Sequence, residues 1–121
     1  MFPSRPWEHN GLMDAEQVAR NDAIFRDANE GIERAARELG DGEPVPFICE
    51  CADLSCRELV RLTLSEYEDV RSSPVRFVVA AGHQLEGTDL EEVVARRPGY
   101  VVVEKQAGAA PIAAELDPRS E

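Results

Sequence analysis

Three cysteines fall within eight residues as Cys49-x-Cys51-x4-Cys56, and the chain contains no other. No other feature constrains the fold as much, because thiols this close in sequence must either pack together or share a ligand. Residues i and i+2 of an extended segment point to one face, so Cys49 and Cys51 can present two sulfurs side by side. Asp53 and Ser55 between them and Cys56 are turn formers, and a turn there returns the third sulfur to the same point. Zinc takes four tetrahedral ligands, mainly thiolate and imidazole. His83 follows a predicted strand over Val75–Ala80 and sits behind Gly82, which lets the backbone bend toward the thiols. It is the natural fourth ligand. The other histidine, His9, lies in an unpatterned N-terminal stretch. The expectation is one structural zinc ion held by Cys49, Cys51, Cys56 and His83.

Two plainer readings compete. Three buried cysteines can pack as small apolar side chains, or a thiol pair can be reactive without metal. Gathering thiolates without a cation is electrostatically costly, which favours the metal. The spacing is not that of a standard zinc finger. A catalytic variant would keep water in the fourth position with Glu50 as general base. Zinc deaminases pair His-x-Glu with Cys-x-x-Cys, a spacing this chain lacks. It also has no G-x-S-x-G, no phosphate-cradling glycine loop and no H-E-x-x-H. The cluster from Ser65 to Asp69 reads as a solvated face. The chain is therefore not expected to be an enzyme.

The 121 residues fit one domain. With loose ends, an ordered part of about 90 residues has a marginal hydrophobic core, which a metal would reinforce. Acidic residues outnumber basic ones by 24 to 13, for a net charge of −11. Such a surface repels nucleic acid and anionic membranes on average, and Arg96–Arg97 is the only adjacent basic pair. No apolar run is long enough to span a bilayer, and Met1–Met13 lacks the basic and apolar regions of a signal peptide. The expected location is the cytoplasm, where thiols stay reduced.

Residues 1–13 read as a flexible arm carrying Phe2 and Trp7. A helix is predicted over 14–39. Asp14 with Gln17 forms a variant capping box, Gly40 suits the position after the helix, and no proline intervenes. Val18, Phe25, Ile32 and Leu39 recur every seven residues as a narrow apolar stripe. Asn21 falls where a coiled coil would use it to fix register, so the stripe is either a partner-binding or dimerising face or the side that packs on the domain's own sheet. Asp22–Arg26, Glu30–Arg34 and Glu33–Arg37 are spaced for ion pairs along the helix.

Beyond the breakers of 41–46 comes a strand period through Val45, Phe47 and Cys49, then the cysteine loop, then a returning strand over Glu58–Leu62. Thr63 with Glu66 opens a short helix that Ser72-Ser73-Pro74 stops. Pro98-Gly99 suits a type II turn between two strands over 90–95 and 100–105, although Asp89–Arg97 fits a short helix as well. Residues 106–121 are small and polar and read as a disordered tail. The fold class is α+β. A long N-terminal helix precedes a small zinc-stabilised, mostly antiparallel β region with one short helix, the whole making a single domain over 14–105.

The stretches FICECADLSC, LTLSEYEDVR and RFVVAAGH, with RNDAIFR at Arg20–Arg26, resemble a family of small uncharacterised bacterial proteins, largely actinobacterial. The resemblance covers roughly Arg20 to Lys105. It implies that Cys49, Cys51, Cys56 and His83 act as one set, and it supplies no activity. The expected role is a zinc-stabilised adaptor or regulator acting through contact with another protein, with homo-oligomerisation open. The alternatives are a nucleic-acid-associated zinc regulator and a zinc enzyme or thiol redox sensor.

Overall fold

A computed structural model describes residues 14–40, 42–85 and 88–119; the arm expected over 1–13 lies outside them. Helix α1 spans Ala15–Arg37. Asp14 Oδ1 accepts the Gln17 N–H at 2.8 Å, and Glu16 and the pair Arg34 and Arg37 place charge favourably at the two ends. Gly40 carries the positive φ of +102° needed to leave the helix.

Hairpin β1 (Val45–Ile48) and β2 (Leu59–Leu62) is antiparallel, with Ile48 opposite Leu59. Helix α2 (Leu64–Arg71) opens on the expected capping box. Thr63 Oγ1 accepts the Glu66 N–H at 3.1 Å, and Glu66 Oε1 accepts the Thr63 N–H at 2.8 Å. Strands β3 (Arg76–Ala80), β4 (Glu91–Arg97) and β5 (Tyr100–Lys105) form an antiparallel sheet in the order β3-β5-β4. The stretch that fitted either a strand or a short helix thus supplies a strand, over Glu91–Arg97, and the turn to β5 uses Gly99 at φ +86°. Val94 is an extra residue between Val93 and Ala95, a β-bulge.

The core runs from the hairpin to the sheet. Phe47 stacks on Tyr67 with centroids 4.3 Å apart, and Phe77, Val79 and Val103 continue it with the three cysteines at one end. This is the expected α+β class. Among the described residues no helix is long and apolar enough to cross a membrane.

Two expectations need correction. Residues 107–119 are ordered. Helix α3 (Ala109–Glu115) buries Ala109 and Ala113 completely, so there are two short helices rather than one. Small residues let α3 lie close to α1, as Gly108 shows: a Cβ there would come within 3.4 Å of the Ala15 Cβ. Ion pairs then hold the end of the chain, Asp117 to Arg71 and Arg119 to Glu30 and Glu68.

The second correction concerns α1. Its inward side comprises Val18, Ala19, Asp22, Ala23, Arg26, Asn29, Glu30 and Glu33, whereas Phe25 and Ile32 are half-buried and Leu39 is 90% exposed. The buried face is therefore offset from the seven-residue stripe, of which Val18 is buried and Ile32 packs against the edge of the core. Other elements meet most of the buried polar atoms, although Arg26 Nε and Arg71 Nη1 have no hydrogen-bond partner among the described residues. Lys105 sits between Asp22 and Glu91. Arg26, fully buried over the Phe77 ring, donates to the carbonyls of Pro74 at 2.7 Å and Ala113 at 3.0 Å. Glu30 accepts from Tyr67 Oη at 2.7 Å, from Arg71 Nε at 3.3 Å and from Arg119. Of the three ion pairs expected along the helix, Glu33–Arg37 forms, while Asp22 and Glu30 turn to other elements.

Candidate metal centre

Cys49 follows the end of β1, one residue past the strand. Its N–H continues the ladder to the Glu58 carbonyl at 3.1 Å, and its Sγ accepts the Ala80 N–H at 3.2 Å. Glu50 then bridges to β3. Its N–H bonds the Val78 carbonyl at 2.8 Å, and its Oε1 accepts the Val78 N–H at 3.0 Å. This clamp turns Cys49 and Cys51 to one side. In the following loop, Asp53 Oδ1 accepts from the Ser55 N–H at 3.0 Å and Ser55 Oγ at 2.6 Å, while the Asp53 carbonyl accepts the Cys56 N–H at 2.9 Å. The tight turn returns Cys56 to its two predecessors. His83 comes off the end of β3 through Gly82, whose φ is +89°, and its N–H bonds the Ala80 carbonyl at 2.9 Å.

These segments bring all four expected ligands together. The three Sγ atoms and a ring nitrogen of His83 lie within 4.8 Å of one another. His83 Nδ1 is 3.5 Å from Cys56 Sγ and 3.7 Å from Cys49 Sγ. A tetrahedral zinc site with Zn–S bonds of about 2.3 Å has ligand–ligand edges of about 3.8 Å, so the group is already close to ligating geometry. All three cysteines are buried and free of disulfides, and His83 is half-buried at the rim.

The protonation balance also favours a cation. The thiol of Cys49 is pushed well above the usual range by the hydrogen bond it gives Cys51 and by burial, and burial pushes Cys56 up as well. Cys51, receiving the bond from Cys49, is pulled down. The bare cluster holds one thiolate readily and resists a second, whereas a divalent cation stabilises all three.

Two residues that hold the centre carried no metal-site signal in the sequence. Asn29 on α1 bonds both backbone groups of Ile48, the N–H and the carbonyl, each at 2.8 Å, and also donates to Glu50 Oε2 at 2.8 Å. Asn21, two helical turns earlier, donates to the Ala52 carbonyl at 2.8 Å. The helix thereby grips the cysteine segment on both sides. Asn21, read from sequence as a possible register-setting residue, is buried here within its own domain. The only advance signal was two asparagines on a helix rich in charged residues.

Glu50, weighed as a general base, is fully buried with both carboxylate oxygens engaged by Val78 and Asn29, and burial raises it to about 7. Its geometry is that of a brace. His9 lies outside the described residues. No protein-family model, curated protein or solved structure matches the chain.

Proposed function

We propose that this protein is a small binding module whose cysteine knuckle is held by one structural zinc ion, and that it acts as an adaptor or regulator through contact with another protein. The observation that carries the metal is the convergence of Cys49, Cys51, Cys56 and His83 within 4.8 Å. Three thiolates and an imidazole match the soft preference of zinc, and four protein donors complete a tetrahedron without water, the pattern of a structural site.

The metal supports the binding role by ordering the loop between Cys51 and Cys56. That loop presents Leu54, 44% exposed, on the same groove as Ile24 of α1, 54% exposed, with Gln17, Arg20 and Asp27 around them. An apolar centre within a polar rim is the anatomy of a protein contact. The net charge of −11 favours a basic partner surface over nucleic acid.

Elemental analysis of freshly reduced protein tests the metal: about one zinc per chain is expected, and metal-free protein that remains folded overturns the proposal. Affinity isolation tests the role. A partner retained by the zinc-loaded chain should be lost both on chelation and with Leu54→Asp. Retention of the same partner through both changes would remove the knuckle from the contact.

A further inference from the structure

The three-stranded sheet has two edges, and they are treated differently. The edge of β3 is covered by the metal segment, through Glu50 bonding both backbone groups of Val78 and through Cys49 Sγ accepting the Ala80 N–H. Among the described residues no strand pairs with the outer side of β4, where the Arg97 guanidinium donates to the Arg96 carbonyl at 3.2 Å from solvent.

The bonding of β5 fixes which β4 groups face out. Lys105 N–H bonds the Val75 carbonyl on the β3 side, at 2.8 Å, and Gln106 N–H bonds the Leu90 carbonyl on the β4 side, at 2.7 Å. Successive residues of a strand address opposite neighbours. Glu92, Ala95 and Arg97, opposite Glu104, Val102 and Tyr100, therefore point their backbone groups at β5. Those of Glu91, Val93 and Arg96 point away from the sheet.

The charges of this strand are arranged end to end. It reads Glu91-Glu92-Val93-Val94-Ala95-Arg96-Arg97, acidic at the start and basic at the finish. Such a strand complements a second copy of itself in the antiparallel sense, whereas a parallel pairing sets like charges together. We propose that β4 pairs with β4 of a second copy of this chain about a two-fold axis, joining two three-stranded sheets into one of six strands.

Matching the outward groups sets Val93 opposite Arg96 of the second copy. Glu92 then lies opposite Arg97 of the second copy, and symmetry makes that pair twice. Glu92 and Arg97 are both exposed and share one face of the sheet, since Glu104 and Tyr100 opposite them are four residues apart. Glu91 takes no part, because its carboxylate binds Lys105 and the Leu85 N–H. Val94, the bulge residue, is 37% exposed and sits beside the axis, where the irregularity meets its own image. Charges and bulges on edge strands ordinarily guard against indiscriminate pairing. Here the same charges leave one pairing favourable.

Sedimentation velocity of the full zinc-loaded chain, at concentrations up to about 1 mM, tests the pairing. The wild-type chain should form a concentration-dependent dimer. Glu92→Arg and Arg97→Glu each place like charges opposite one another twice and should weaken it about tenfold or more. An equimolar mixture of the two variants should dimerise again, because opposite charges then meet across the axis. Circular dichroism and metal content check that each variant is folded, and Glu92→Gln and Arg97→Gln give a milder graded series should a reversal unfold. A wild-type chain that stays monomeric, a dimer that the substitutions leave unchanged, or a mixture that fails to recover would each overturn the proposal.

Discussion

Asn29 and Ile48 are joined by two hydrogen bonds of 2.8 Å, the amide side chain of one meeting both backbone groups of the other. Asn29 acts there as a short strand pairing with the end of β1, and its third bond goes to Glu50. A helix side chain thus sets the position of the segment that carries Cys49 and Cys51.

Replacing Asn29 with Ala should be more damaging than its polar character suggests. The change leaves the Ile48 groups and one Glu50 oxygen with fewer partners, at about 1–3 kcal/mol for each group left unsatisfied, so a total loss of about 3 kcal/mol is expected. Urea unfolding measures it. Competition with a chromophoric chelator should show metal affinity falling by about tenfold or more, as when an outer support of a metal ligand is removed. Unchanged metal affinity would mean that Asn29 supports the fold alone.

Helix caps, the Pro98-Gly99 hairpin and the cysteine–histidine set were legible because each depends on a few neighbouring residues with fixed chemistry. The inward face of α1 was not. Arg26, Asn29 and Glu30 are buried because Phe77, Pro74, Ala113, Ile48, Tyr67 and Arg71 meet them, and those partners lie far away in sequence. Apolar periodicity assigned the stripe to Leu39 instead, which is exposed. The last helix was missed for a related reason. Ala109 and Ala113 bring little hydrophobic area, so composition read disorder where close packing and the Asp117 and Arg119 pairs supply the order.

The C-terminal pairing can be measured. Arg119 bonds Glu30 and Glu68 together, and Glu30 is nearly buried beside Arg71. Arg119→Ala should cost about 1–2 kcal/mol, reduced from the value of a buried pair because the guanidinium is partly exposed. Amide exchange in α3 should quicken more than in β5. Equal exchange in both would show that the helix is held by its alanine packing.

Asp22 provides a pH test at a buried ion pair. Burial raises its carboxyl from 3.8 to about 7, against the pull of Lys105, and the charge of Cys51 adds to the rise. A raised folded value means that the group favours the fold when protonated, and that this contribution is lost as pH rises through 7. Stability should therefore increase by about 1 kcal/mol between pH 8 and pH 6. Asp22→Asn keeps an oxygen for Lys105 and should flatten that dependence. A variant with the same slope would assign the titration elsewhere.

Ligand identity should grade the stability of the metal centre. Cys51→Ser should cost more than His83→Ala. Cys51 is buried, whereas His83 sits at the rim, where water can take the vacated position. Thermal unfolding of zinc-loaded variants gives the order directly, and the reverse order would make His83 the principal anchor.

Metal removal should loosen the chain from the knuckle outward. The four candidate ligands come from three separate stretches, after β1, before β2 and after β3. Without a cation the thiols must protonate or repel, and binding energy on the order of 10 kcal/mol is lost from folding. Protection against amide exchange should fall across Val45–His83, beginning with the N–H groups of Cys56 and Ala80, whose acceptors belong to the knuckle. Helix α1 should lose its grip through Asn21 and Asn29, while Arg26 and Glu30 still hold it to α2 and α3. Partial helicity should therefore survive chelation. Acid should reproduce the effect, because thiolates and imidazole ligate only when deprotonated. A chelated protein that melts at the temperature of the loaded form, with Cys56 and Ala80 still protected, would show the thiols packing as ordinary core residues.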